Sequence, residues 1–261
     1  MSVLSRIYSD YFLPNRLGVY EDLICESLSA GYEHLTIPQF YELALKNSIP
    51  SNKKYFIHRH DIDTDAATAR EMFCIEKKSG IKSSWYFRLN TVDPQLMNEI
   101  RNYGSEVGYH FEELSDVCKT KKIRSASEAE KHYTEMRGLF RSNLLSLEKK
   151  CGFRIRTIAS HGDFVNRAIG LSNFAFITKE LMYELGIDFE CYDELLLKNY
   201  GTILSDMGYP DYYRPTSPFD AIKNNHPKIY LLSHPRHWRK DVFLNTTDNI
   251  TRLIQGLKYK L

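Results

Sequence analysis

The chain has 261 residues, 43% of them hydrophobic and 26% charged, with a formal net charge of +2. That is enough apolar material for the core of one large domain or two small ones, and the near-neutral balance gives no signal for nucleic acid or an anionic membrane surface. No stretch approaches the ~20 apolar residues of a membrane span, and the N-terminus has no apolar run of signal-peptide length.

Five cysteines (Cys25, Cys74, Cys118, Cys151 and Cys191) are widely spread and contain no Cys-x-x-Cys pair. This argues against a disulfide framework and a thiolate zinc site, and for a reducing compartment. The expectation is a cytoplasmic protein. The 18 tyrosines and 14 phenylalanines are expected chiefly in the core, with a minority free to stack on a sugar.

Residues 1–50 read as an N-terminal helical preamble packed on a main body at 51–261, with short amphipathic helices at 20–28 and 37–45. The first strong strand opens with Tyr55, Phe56 and Ile57, residue types suited to a pleated, buried surface. It runs into His58, Arg59, His60, Asp61, Asp63 and Asp65. A helix follows over 65–79, with Thr64 or Asp65 as N-cap and Gly80 beyond its end. A second strand lies at 83–90; Asp93-Pro94 opens the next helix, stopped at Gly104. Residues 106–111 form a third strand. Ser125 and Glu128 match a capping box starting a helix to about 150, closed by Gly152. A fourth strand at 154–160 ends in Ser160-His161-Gly162-Asp163.

Beyond it the pattern weakens, with a helix at 179–185 and a strand at 189–192. Residues 202–205 form a further strand ending at Asp206, 209–218 a loop, 228–233 a late strand ending in His234, and 246–258 a closing helix. Strand–helix alternation at this spacing means βαβ units and a parallel sheet. The fold class is α/β, with about seven mainly parallel strands. The first strand is followed by no Gly-rich phosphate loop, which disfavours a dinucleotide or P-loop fold.

Chemically able residues recur at strand ends: Asp61 and Asp63, His110, His161 and His234. In a parallel barrel all carboxyl ends face one side, so these five converge. One Asp and two His with an open position make a catalytic zinc arrangement; a second carboxylate and a further His then serve as base and acid. The set describes metal-assisted hydrolysis of an ester or amide. Asp163 is a candidate orienting partner for His161. Arg59 either holds Asp61 ionised or meets a substrate carboxylate. Arg214 is assigned to an anionic group of the substrate and Trp238 to stacking on a sugar ring, with packing as the alternative for Trp238. At most one of His58 and His60 is expected to touch the site.

His60-Asp61-Ile62-Asp63 resembles the first motif of the polysaccharide deacetylases (the NodB-homology domain) in its His-Asp-Val-Asp variant. Gly108-Tyr109-His110 resembles their second motif and Leu231-Leu232-Ser233-His234-Pro235 their last. The resemblance spans roughly residues 54–240. It implies a distorted (β/α) barrel, a divalent metal and removal of N- or O-acetyl groups from sugars. It further implies Asp61 as general base, Asp63 and His110 as metal ligands and His234 as general acid. The family's usual second metal-binding His falls at Leu114, which cannot bind a metal, so His161 is favoured as third ligand and Glu113 is the alternative. With nitrogen and oxygen ligands zinc is the default; nickel, cobalt and manganese also suit the set.

The expected enzyme is a metal-dependent carbohydrate deacetylase. Its substrate would be a small carbohydrate or a nucleotide- or lipid-linked sugar precursor of surface-polysaccharide synthesis, with no nucleic-acid partner. The alternatives are a decayed barrel that binds sugar or acts as a scaffold, and a metal-dependent amidohydrolase on a non-sugar amide.

Overall fold

The structure is a computed structural model and describes residues 3–260. Among the described residues one sheet carries nine strands: β1 (Tyr32–Leu35), β2 (Lys54–Ile62), β3 (Ser84–Phe87), β4 (Glu106–Phe111), β5 (Thr157–Ser160), β6 (Phe189–Glu190), β7 (Thr202–Asp206), β8 (Tyr213–Arg214) and β9 (Lys228–Ser233). Their order is β6-β5-β4-β3-β2-β9-β7-β8, with β1 also paired to β2. All pairings are parallel except β7 with β8. The fold is therefore a mainly parallel α/β barrel, open between β6 and β8. It has nine strands where about seven are legible in the sequence. The two additional strands are β1 and the two-residue β8, both too short for a periodic signal.

β2 is the axis of the sheet. β1 pairs with its first half and β3 with its second, along the same edge, while β9 pairs with Tyr55 to His60 along the other. Successive side chains of a strand point to opposite faces. Tyr55 and Ile57 join Tyr86, Ala159, Phe189, Cys191 and Tyr230 in one buried cluster. Residues from five strands meeting in one cluster mean that the sheet curls around this face. Phe56, on the other face, packs outward with Leu23, Leu204, Ile229 and Leu231.

The first fifty residues are not helix alone. β1 lies in the sheet, and the helix Ile37–Leu45, capped by a Thr36–Gln39 capping box, sends Ile37 and Phe40 into the inner cluster. Phe40 stacks on Tyr200, and Tyr41 on Phe189. The long helix expected from 125 is broken: Ala126–Glu130 ends before Tyr133–Cys151 begins.

Gly108 sits where β4 passes the inner face. A Cβ there would overlap the Tyr86 ring and come within 2.8 Å of the Thr157 carbonyl oxygen. Neither neighbour can yield, since Tyr86 is fully buried and the other is backbone. Gly108→Ala is expected to destabilise the fold by about 1–3 kcal/mol, the usual cost of overpacking; thermal unfolding of the variant beside the parent checks this.

Candidate active site

The carboxyl ends of the parallel strands deliver the site. β2 carries Asp61 at its end and Asp63 in the turn beyond, before Asp65 caps the helix Ala66–Lys78 through the Thr68 N–H at 2.9 Å. His110 comes from β4, His161 follows β5 and His234 follows β9.

Asp63, His110 and His161 meet. His161 Nδ1 lies 3.0 Å and His110 Nε2 3.2 Å from Asp63 Oδ1, and the two imidazole nitrogens are 3.1 Å apart. Both contacts to Asp63 Oδ1 lie off the line of a good hydrogen bond, which leaves that buried oxygen without a proper donor. His110 Nδ1 is 2.9 Å from the Ala159 carbonyl oxygen. Only an N–H can make that bond, so the Nδ1–H donates and the Nε2 lone pair is directed at Asp63 and His161. A carboxylate oxygen and two imidazole nitrogens converging on one point, one ring fixed by a backbone acceptor, fit a divalent cation with mixed nitrogen and oxygen ligands. Burial alone would raise the Asp63 pKa, but the charge of His161 outweighs it and holds the carboxyl well below its usual range.

Asp61 stands beside this group, its Oδ2 3.5 Å from His110 Nε2. Arg59 grips both its oxygens, Nε to Oδ1 at 2.8 Å and Nη2 to Oδ2 at 2.7 Å. Burial works against the Asp61 anion, but the guanidinium charge prevails and keeps the carboxyl ionised. Arg59 is itself fully buried, with Nη1 3.3 Å from the Tyr230 hydroxyl and the Tyr192 ring 4.8 Å from its guanidinium carbon. Of the two roles open to Arg59, the geometry serves the first. With no exposed surface it is not a substrate contact, which corrects that assignment.

His234 is held by Asp206, a residue to which the sequence alone assigns no role. Asp206, at the end of β7, accepts the His234 backbone N–H at 2.7 Å and pairs with His234 Nδ1 at 2.7 Å. His237 Nδ1 lies 3.0 Å from the same carboxylate. Burial disfavours the charged imidazole, but Asp206 overrides it, with smaller help from Asp63 and Asp61, and the His234 pKa rises to about 9. His234 is then an imidazolium at neutral pH. A signal for Asp206 is present in the sequence, since it is an acid at a strand end like the others.

Two hollows flank the group. A cleft of about 230 Å³ is lined by Asp63 and His234 together with Arg6, Arg236, His237 and Arg252. A hollow of about 520 Å³ is lined by His161 with Asn166, Leu171, Phe174 and Tyr192.

Other expected site residues lie elsewhere. Trp238 is fully buried, its ring 5.0 Å from Tyr20 and 6.1 Å from Tyr213. It is a packing residue and offers no face to a sugar, a second correction. Arg214 is exposed on β8 opposite Ser205 and does not line the cleft. Asp163 caps the helix Phe164–Ile169 in a capping box and pairs with Lys119 at 3.3 Å rather than orienting His161. Glu113 accepts from the Tyr109 hydroxyl at 2.6 Å and Asn143 at 2.9 Å, away from Asp63, and burial lifts its pKa to about 7. His58 and His60 lie on the opposite face of β2 from Arg59 and Asp61, and neither touches the site.

Leu114 is fully buried in the outer core, on the helix Glu113–Lys121. Leu114→His is therefore expected to add no metal affinity and to destabilise by about 1–3 kcal/mol through burial of an unpartnered polar group. Metal titration and thermal melting of the variant test both halves.

Neither the protein-family models nor the curated proteins yield a match. Among solved structures the chain is similar to a Streptococcus pyogenes deacetylase, PplD, in complex with acetate: 14% identity, 75% of this chain and 84% of that one, TM-score 0.46. It is similar to the peptidoglycan deacetylase PdaC from Bacillus subtilis at 15% identity, over 80% of this chain and 87% of that one, TM-score 0.40. It is also similar to a CE4 family pseudoenzyme from Bacillus anthracis at 14% identity, over 79% of this chain and 63% of that one, TM-score 0.40.

Proposed function

We propose that the protein is a metal-dependent carbohydrate deacetylase, a hydrolase that removes an acetyl or related acyl group from a sugar. The observation that carries this reading is the convergence of Asp63, His110 and His161 between an Arg-held Asp61 and an Asp-held His234. Asp63, His110 and His161 would hold one divalent cation, zinc by default. When bound, that cation supplies Lewis-acid polarisation of the acyl carbonyl toward attack by water. Asp61, kept anionic by Arg59, takes the proton of the attacking water. His234, kept charged by Asp206, gives a proton to the leaving nitrogen or oxygen. The divided environments are what general base and general acid require of groups in one cleft.

For the substrate we favour a nucleotide- or lipid-linked sugar met inside the cell over a wall polymer. Arg6, Arg236 and Arg252 line the cleft beside Asp63 and His234; they pair there with Asp10 and Asp248, three cations against two carboxylates, which leaves one positive charge for a phosphate linkage. Arg214, exposed near the end of β7, is a proposed second contact for the anionic end. The reading of a decayed barrel draws its weight from Leu114, and a leucine turned into the core gives it little. An amidohydrolase on a non-sugar amide would use the same groups.

Acetate release separates these readings. The expected result is release from N-acetylated sugar nucleotides, abolished by a chelator and restored by zinc or cobalt. Release indifferent to chelation would refute the metal, turnover only on polymer would refute the precursor, and turnover only on simple amides would select the amidohydrolase.

A further inference from the structure

We propose that His58, His60 and Glu76 form a second metal site, a closed structural one for zinc or a similar divalent cation, on the outer face of β2. Residues two apart on a strand share a face, so His58-Arg59-His60 sends two imidazoles outward while Arg59 turns inward to Asp61. The rings lie nearly parallel, centroids 5.9 Å apart with 17° between planes. Glu76 reaches them from the helix Ala66–Lys78, with Oε1 2.7 Å from His60 Nε2. The three residues each offer a ligand atom, all within 4.8 Å of one another. All three are fully buried, and they share no residue with the inner group.

The surroundings are those of a built site. The Tyr20 hydroxyl donates to Glu76 Oε1 at 2.6 Å and lies 3.3 Å from His60 Nε2, a further oxygen within reach of an ion. The Ser83 hydroxyl donates to Glu76 Oε2 and accepts from Trp85 Nε1 at 2.6 Å, which fixes the carboxylate. Outer partners of this kind orient metal-ligating carboxylates.

The feature that asks for a ligand is His58. Both its ring nitrogens are buried without a hydrogen-bond partner, and so is His60 Nδ1. A buried polar group left unmade costs about 1–3 kcal/mol, and the aromatic stack of Phe56, His58 and His60 would be filled as well by phenylalanine at 58. An ion here would tie the helices Leu17–Ser29 and Ala66–Lys78 to the strand that presents Asp61 and Asp63. The inference does not depend on the inner site.

Elemental analysis after zinc loading, with thermal melting alongside, tests it. Asp63→Ala/His110→Ala is expected to retain one equivalent and to melt higher with zinc than without. Adding His58→Phe, or Glu76→Gln should the first not fold, is expected to remove both the equivalent and the shift. A double variant that binds none overturns the proposal. So does an equivalent that survives both outer substitutions, which would then belong to the exposed thiols of Cys25 and Cys74. Two equivalents in the parent, each lost with its own set, support both sites. One equivalent lost with Asp63 and His110 overturns the outer site alone; one kept there and lost with His58 overturns the inner site alone.

Discussion

Asp63→Ala/His110→Ala is expected to empty the inner site and abolish hydrolysis, while Asp61→Asn and His234→Ala each keep the inner metal and lose turnover. Lewis-acid stabilisation contributes several kcal/mol, and at ~1.36 kcal/mol per tenfold its loss lowers kcat by about 10³-fold or more. Asp63 and His110 are left free to ligate, because the Asp63 Oδ1 lacks a proper donor and His110 Nε2 keeps its lone pair once Nδ1 is committed to Ala159. Asp61 and His234 differ, each being paired with a residue outside the three, Arg59 and Asp206. Metal content and kcat measured on the same preparations separate the two classes. Inner metal retained in the double variant would mean that these residues are not the ligands.

Asp206→Asn is expected to lower kcat by about 10²-fold or more, the lower range for loss of a positioned general acid, and to change its pH profile. Asp206 raises the His234 pKa from the ordinary 6.5 to about 9, so the parent keeps its acid charged up to mildly alkaline pH. Asparagine is isosteric and uncharged, and the alkaline limb should move down from near 9 toward 6.5. The same coupling has a signature in stability. A raised folded pKa means that the His234 contribution is fully present below pH 6.5 and is lost as pH rises through about 9. Asp206 is lowered, because His237 and His234 outweigh its burial; its contribution is present above the ordinary carboxylate range and lost as pH falls through its folded pKa. Asp206→Asn should flatten the fall of Tm between pH 6.5 and 9. An unmoved alkaline limb would show that His234 is not the titrating acid.

The inner group is legible in the sequence because its members sit where a strand pattern stops. Tyr55 to Ile57, Val107 to Phe111 and Ile229 to Leu232 announce strands by composition, and their carboxyl ends must lie together in a parallel sheet. Only burial, a property of the folded chain, distinguishes Arg59 or Trp238 from a surface contact. Leu114 follows the same logic: a helix that starts at Glu113 turns its second residue into the core. Between 164 and 200 the elements are two to seven residues long; the helix Lys179–Leu185 and the strand at Phe189–Glu190 are legible there, and the other short elements leave no periodic signal. Asp206 carries the same strand-end signal, but its role, holding His234, depends on a contact that only the folded chain makes.

The opening between β6 and β8 bears on how this chain meets others of its kind. A sheet that does not close presents two edges, and an edge strand is a row of unpaired N–H and C=O groups that can recruit another chain. Among the described residues the two end strands are two residues long, Phe189–Glu190 and Tyr213–Arg214, and β1, four residues long, pairs on one side only, with β2. The chain turns away after each end strand, into Asp193 capping a helix on one side and into Pro215 and Pro218 on the other. Prolines and very short strands are how natural sheets blunt their edges. Edges this short leave few free backbone groups in register for another chain to extend.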